Sequence, residues 1–337
     1  KLPYEVSGHG TFRGVISGNI DAPEFHGVLD APSLTMNGQD ITNLHGQVEY
    51  QNGVAVLDRF GFEQNGGSFD VIASVNTETK ALSGNVVVQN ADVNAIAALL
   101  NQKNELVQGR LDSGAEISGT WDNPTIGMQG ELKKGTVGGY DVHDVQLDIR
   151  LMNHILFINK MSGAQGERGL FEASGTADLN DGPIDVRLQA TDLALGMFAR
   201  TAGINAEVIG TADVQAVFGG TVSNPSADVV IAGRDGGVRG STFDRLDGSL
   251  HLKNGMVTVD SVDVRKTVAS AKGVMPYRAL GASADEQLDD IEQIRMTVAL
   301  DQADLSLLPA LSDHVDWAVG PTTGTLKVRG TLAHPLI

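Results

Sequence analysis

Apolar and polar residues alternate along much of this chain. Over Leu44–Tyr50, Leu44, Gly46, Val48 and Tyr50 fall on one side while His45, Gln47 and Glu49 fall on the other. The pattern returns with Val145, Leu147, Ile149 and Leu151 against Gln146, Asp148 and Arg150. It returns again with Leu246, Leu250 and Leu252 against Asp247, Ser249, His251 and Lys253. A period of two residues predicts β-strands with one wet and one apolar face, the habit of antiparallel sheets. Asn52-Gly53 and Asn254-Gly255 close the first and third of these strands, and Asn-Gly between alternating runs predicts a tight hairpin. The second strand has Asn153-His154 at that place.

Leu44, Val145 and Leu246 stand 101 residues apart, and a second signature keeps that step twice and then takes one of 110. A glycine, a second glycine ten residues later and a proline five beyond it occur at Gly8-Gly18-Pro23, Gly109-Gly119-Pro124, Gly210-Gly220-Pro225 and Gly320-Gly330-Pro335. An internal period decides architecture before any single element does. Inside the four copies one face reads Gly10, Phe12, Gly14, Ile16; then Leu111, Ser113, Ala115, Ile117; then Ala212, Val214, Ala216, Phe218; then Thr322, Gly324, Leu326, Val328. The period predicts Ile16, Ile117, Phe218 and Val328 in one row along an inner wall. The closing proline cannot donate to a ladder, so it marks a strand start or corner. Trp121 replaces an aliphatic residue of the sister copies and reads as a corner-packing side chain.

Each repeat spells about six strands and then changes texture at Ala91–Leu100, Thr191–Phe198 and Ala303–Leu308. Asp92, Asp192 and Asp304 precede apolar residues at helical spacing, which predicts an N-cap and one short helix per repeat. The repeats run over 8–108, 109–209 and 210–319, with a fourth beginning at 320–337. The third is longer, and the excess falls in an acidic loop, Ala279–Gln293. The pattern is already running at Lys1, which predicts one elongated repeat domain cut from a longer array, with any anchor or targeting segment outside it.

Composition narrows the function classes. A net charge of −18 with no basic run argues against a nucleic-acid partner. Forty-one glycines and 5% aromatics suit short strands and tight turns. The chain has no cysteine, which removes disulfides and thiolate zinc sites. Its longest apolar runs, such as Ala95–Leu100, fall far short of the ~18–20 residues of a membrane span.

Chemistry is sparse. Asp112-Ser113-Gly114 matches the aspartic-protease triplet, whose mechanism needs two carboxylates sharing a proton, yet only one copy exists and a strand interior accounts for it. Gly8–Gly14 has the wrong spacing for a phosphate loop. No His pair has i, i+4 spacing, and His45, His251 and His334 fall on wet-face or loop positions, so no metal site is expected. Asp178–Gly182 lacks the later acidic ligand of a calcium loop and reads as a turn. There is no Gly-x-Ser-x-Gly elbow. The expectation is a protein without enzymatic activity or cofactor.

What covers the apolar side then becomes the functional question. A sandwich or a barrel closes its strands within one domain, whereas an open array of fixed period suits a sheet curled along its length. The fold expected is all-β: an elongated array of antiparallel strands curled into an open trough with a hydrophobic interior, plus one short helix per repeat. At ~4.8 Å per strand, three repeats make a trough of roughly 85–90 Å. The recurrent opening Gly119-Thr120-Trp121-Asp122-Asn123-Pro124 and Gly220-Thr221-Val222-Ser223-Asn224-Pro225, the hairpin Leu246–Gly255 and the Asp-Leu helices resemble those of the TamB/AsmA-like proteins over essentially all of the chain. The first copy departs from that pattern at Asn19 and Ala22.

The resemblance implies a β-taco, kin to the eukaryotic bridge-like lipid-transfer proteins. It implies a periplasmic bridge anchored in the inner membrane, carrying phospholipid toward the outer membrane, with an outer-membrane barrel of TamA or BamA type as partner. It implies no catalytic residues. The expected acyl-chain groove comprises Ile16, Val48, Tyr50, Ile117, Leu147, Ile149, Leu151, Phe218, Leu250, Leu252 and Val328. The rivals are a scaffold for outer-membrane assembly with a dry, packed β-solenoid interior, and an enzyme on a parallel β-helix. Cut strand edges also predict edge-to-edge self-association.

Overall fold

The computed structural model describes residues 5–99, 102, 106–201, 207–238, 241–265, 269–276, 278–279, 289, 291–305, 318–331 and 335–337. It resolves into two compact units, Lys1–Gly163 and Ala164–Ile337. The first contains β1 (Val6–Gly18), β2 (Pro23–Met36), β3 (Gln39–Gln51), β4 (Val54–Gln64), β5 (Gly67–Asn76), β6 (Leu82–Asp92), α1 (Val93–Leu99), β7 (Val107–Thr120), β8 (Asn123–Val137) and β9 (Tyr140–Met152). The division falls within β10 (Ile155–Gln165). The second contains β11 (Gly169–Asp178), β12 (Ile184–Ala194), α2 (Leu195–Thr201), β13 (Val208–Gly220), β14 (Pro225–Val238), β15 (Ser241–Lys253), β16 (Met256–Arg265), β17 (Ala269–Pro276), β18 (Ile294–Asp304), β19 (Pro321–Gly330) and β20 (Pro335–Leu336).

Each unit is an open antiparallel meander in which strands pair in chain order, from β1 to β9 in the first and from β11 to β20 in the second. The expected all-β antiparallel class, six strands to the repeat, is what the chain adopts. No helix among the described residues is long and apolar enough to cross a membrane.

The repeated glycines earn their places through backbone geometry. Gly8, Gly109, Gly210 and Gly320 all have φ between 101° and 146°, and Gly18, Gly119, Gly220 and Gly330 between 76° and 92°. Those values suit glycine far better than residues with a Cβ. The later glycine of each copy pairs with a proline that is the first or second residue of the next strand, as in Gly18↔Pro23 and Gly119↔Pro124. The proline therefore sits at a strand start, where its missing N–H costs little. Asn52-Gly53 and Asn254-Gly255 have two positive φ values each, as a type I′ hairpin demands. Asn153 and His154 adopt the same pair at 52° and 65°, so the turn survives without glycine.

Helix α1 lies on the apolar face, against β3, β6 and β7. Beneath and beside it Ala31, Ile41, Leu44, Phe69, Val88 and Ala91 are buried, with Ile96 and Leu99 packed onto them. Asp92 caps α1 as expected, its Oδ1 accepting from the amides of Asn94 at 2.8 Å and Ala95 at 3.3 Å.

The expected cap of α2 is corrected. Asp192 is drawn into a charged cluster, accepting from the Thr211 hydroxyl at 2.8 Å and facing Arg168 at 3.2 Å. The Gln165 Oε1 accepts the amide of Ala194, the last residue of β12 before α2 begins, at 2.6 Å. The third expected helix, apart from Ala303–Leu305 at its start, and the acidic loop, apart from Ala279, Asp289 and 291–293, lie outside the described residues.

Candidate functional site

Strand registers turn the alternation into rows. In the first unit Gly14, Gly27, Val48, Leu57, Ala73, Gly84, Ile117, Ile126 and Leu151 stand opposite one another in succession from β1 to β9. Every member is apolar. Eight strand intervals at ~4.8 Å make this row roughly 38 Å long. The neighbouring row toward the Gly–Pro hairpins joins Ile16, Phe25, Tyr50, Ala55, Val75 and Leu82. On the helix side Val71, Val86, Ala115, Met128 and Ile149 form another, and Ser113, Gly130 and Leu147 the next. The second unit repeats the arrangement in Ala173, Leu188, Ala216, Val229, Leu250, Val259, Gly273, Met296 and Val328. Phe218, Ala227, Leu252 and Val257 lie beside it.

All of the expected groove residues thus lie on the apolar face of their own unit, but their burial differs. Val48, Tyr50, Ile117, Leu147, Ile149, Leu151, Leu250 and Leu252 are half-buried. Ile16 is 78% exposed and Phe218 38%. Val328 is only 7% exposed, packed among Ala269, Val298, Leu300 and Ala303, so it belongs to a dry core rather than an accessible groove. In the first unit burial falls along the strands, from the helix-covered end to the end carrying the Gly–Pro hairpins.

The single row of repeat-related residues is also corrected. Register places Gly14, not Ile16, in line with Ile117, and Ala216, not Phe218, in line with Val328. Rows therefore slip by two residues per repeat, which keeps the same face inward. Sequence reasoning missed Leu57 and Ile126 as row members. Their strands alternate too, but bulges such as that between Leu57 and Phe60 hide the phase.

Trp121 is not a corner-packing residue. It is 68% exposed at the tip of the β7–β8 hairpin, in a turn where Lys80 contacts Asp122 at 2.6 Å.

The polar face holds structural ties. Asp112 Oδ1 accepts the Asn90 amide at 2.7 Å and Oδ2 accepts from Lys133 at 3.3 Å. The first contact and then the lysine lower its pKa. This is a strand side chain holding a bulge, in keeping with the strand-interior reading. Asp181, in the turn read as a weak calcium-loop match, accepts from the Ser223 hydroxyl and amide, which lower its pKa. His251 bridges Asp228 through Nδ1 and Asp260 through Nε2, the latter at 2.6 Å; its pKa is raised, chiefly by the bond to Asp228. His45 Nδ1 lies 2.8 Å from the Asn43 carbonyl, and His334 lies outside the described residues. Among the described residues no group of His, Cys, Asp and Glu could hold a metal ion. Two shallow concavities of about 560 and 530 Å³ are lined chiefly by polar-face side chains, one by Asp112, Gln129, Glu131, Gln146, Asp148 and Lys160, the other around Ser74, Ser83, Asn85 and Glu116.

None of the protein-family models, curated proteins or solved structures compared with this chain matches it.

Proposed function

We propose that the apolar face is a track for phospholipid acyl chains, and that this chain is a segment of a periplasmic bridge between inner and outer membranes. One observation carries the reading: unbroken apolar rows run across the strands of each unit while many of their side chains remain accessible. Rows of this kind give a sliding tail similar contacts at every step, so movement needs no energy-consuming reaction within the segment. Headgroups would remain in water at the hairpin end, where exposure is greatest in the first unit. The trough shape, the inner-membrane anchor and a TamA- or BamA-type barrel as outer partner belong to the same proposal, supported by the resemblance of the repeat. The helix-covered cores are dry, which is what a pure scaffold would show throughout. The half-exposed rows favour the track.

The test compares Ile149→Asp with Asp148→Ala. Ile149 pairs with Met128 on the track, and a carboxylate there costs several kcal/mol to desolvate under a lipid tail. Asp148 lies on the other face, where it accepts from Asn159 at 3.0 Å. In a vesicle-to-vesicle assay with fluorescent phospholipid, Ile149→Asp should abolish transfer and Asp148→Ala should leave it near wild type. Far-UV circular dichroism must first show both variants folded. Undiminished transfer by folded Ile149→Asp would return the chain to the dry-scaffold reading.

A further inference from the structure

β1 stands apart from its repeat counterparts along its outer edge. β7 is paired there with β6, β13 with β12, and β19 with β18. Among the described residues no strand pairs with that edge of β1, and all 13 of its residues are exposed. Phe12 is 51% exposed, whereas its counterpart Val214 is buried. An unpaired edge is ordinarily blunted by lysine or proline. β1 has neither, and carries only His9 and Arg13 as ionisable side chains.

The three internal pairings show what fits. In each, the sixth strand of a repeat lays small or apolar residues opposite the apolar face, then bulges. The bulge contains a residue of positive φ, namely Asn90, Asp192 or Gln302. Its amide donates to a side chain of the next strand: Asn90 to Asp112 at 2.7 Å, Asp192 to Asp213 at 2.9 Å and Gln302 to Thr323 at 3.0 Å. β1 has Thr11 at that repeat position. A threonine hydroxyl already does this work at Thr323, and Thr11 makes no side-chain hydrogen bond among the described residues.

We infer that the outer edge of β1 is an acceptor for one further antiparallel polypeptide strand of sixth-strand kind, its alternate residues apolar and its bulge amide donated to Thr11. Main-chain hydrogen bonds supply affinity, and the alternating side chains and bulge supply register. A second copy of β1 is the weaker fit, because it brings no left-handed Asn, Asp or Gln to place against Thr11. The inference does not depend on lipid transport.

The chain contains no cysteine, so register can be trapped by disulfide formation. The probe is a synthetic peptide with the sequence of Leu82–Asp92. Transposing Gly84↔Ile117 by one repeat places peptide position 84 opposite Ile16 and turns position 85 to the other face. Ile16→Cys should therefore cross-link to a Gly84→Cys peptide at least tenfold faster than to an Asn85→Cys peptide. A second pair, Phe12→Cys with Val88→Cys, should behave alike, and adding Thr11→Val should slow both several-fold. Equal rates at positions 84 and 85, or no cross-link with either pair in chains shown folded by circular dichroism, would overturn the inference. So would faster cross-linking of the Ile16→Cys chain to itself in the presence of excess peptide, since the edge would then take a second copy.

Discussion

Gln64 and Gln165 occupy the same repeat position and do different work, which makes them a controlled experiment. Gln165 Oε1 accepts the Ala194 amide at the entrance to α2, and its Nε2 approaches the Met197 sulfur at 3.6 Å. Gln64 is only 2% exposed, its Nε2 donates to Gln39 at 3.3 Å, and its Oε1 has no hydrogen-bond partner among the described residues. The two aspartates of these positions differ as well: Asp92 caps α1, while the charged cluster around Arg168 and Arg234 claims Asp192. Gln165→Leu leaves a part-buried amide without an acceptor, a loss of about 1–3 kcal/mol. Gln64→Leu removes an unsatisfied buried oxygen and should be neutral or stabilising, because replacing a poorly satisfied polar group by an apolar one of like shape carries little penalty. Native-state hydrogen exchange reads the two sites separately, which matters in a repeat chain whose unfolding need not be two-state. Opening of α2 should accelerate roughly 5- to 150-fold in Gln165→Leu, taking 1.4 kcal/mol as tenfold. Exchange in α1 of Gln64→Leu should stay level or slow. Equal acceleration in both variants would refute this difference between the two glutamines.

Gly220→Ala should be more damaging than Gly38→Ala. Both have φ of +76°, but a Cβ at 220 would meet the Asn224 carbonyl at 2.4 Å while one at 38 meets nothing within 4 Å among the described residues; the strain at 38 alone is about 1–2 kcal/mol, and urea midpoints should rank the pair accordingly. His251 has a pKa raised in the folded state, so its contribution is full below its unfolded value of about 6.5 and is lost as pH rises through the raised one. His251→Gln should lower the urea midpoint near pH 6 and change it little near pH 9. Asp112 has the opposite sense: its lowered pKa gives a contribution present above the ordinary carboxylate value of 3.8 and lost as pH falls through the depressed value. Acid unfolding of Asp112→Asn should accordingly show a shallower dependence on pH than wild type.

Much of the fold was legible because its determinants are local. Glycines at Gly109 and Gly119 meet a backbone demand that recurs every repeat, so they announce the period, and Leu44–Tyr50 announces its own wet and apolar sides. Register across the sheet was less legible, since left-handed residues such as Asn43, Arg59 and Asn90 and their bulges shift phase without a glycine to flag them. That is why Ile16 and Ile117 looked aligned and are not. Asp192 and Val328 failed for a tertiary reason. The arginine that helps to claim Asp192 comes from β14, and the packing that dries Val328 comes from β17 and β18. Neither neighbour is visible in the residues around them.

Phospholipid retained by the chain itself is the most direct evidence for or against the track. Native mass spectrometry of protein prepared without detergent should show phospholipid adducts on wild type and on Asp148→Ala, and none on folded Ile149→Asp. Wild-type protein free of lipid after incubation with phosphatidylethanolamine vesicles, or adducts that persist equally on Ile149→Asp, would contradict an acyl-chain track on this face.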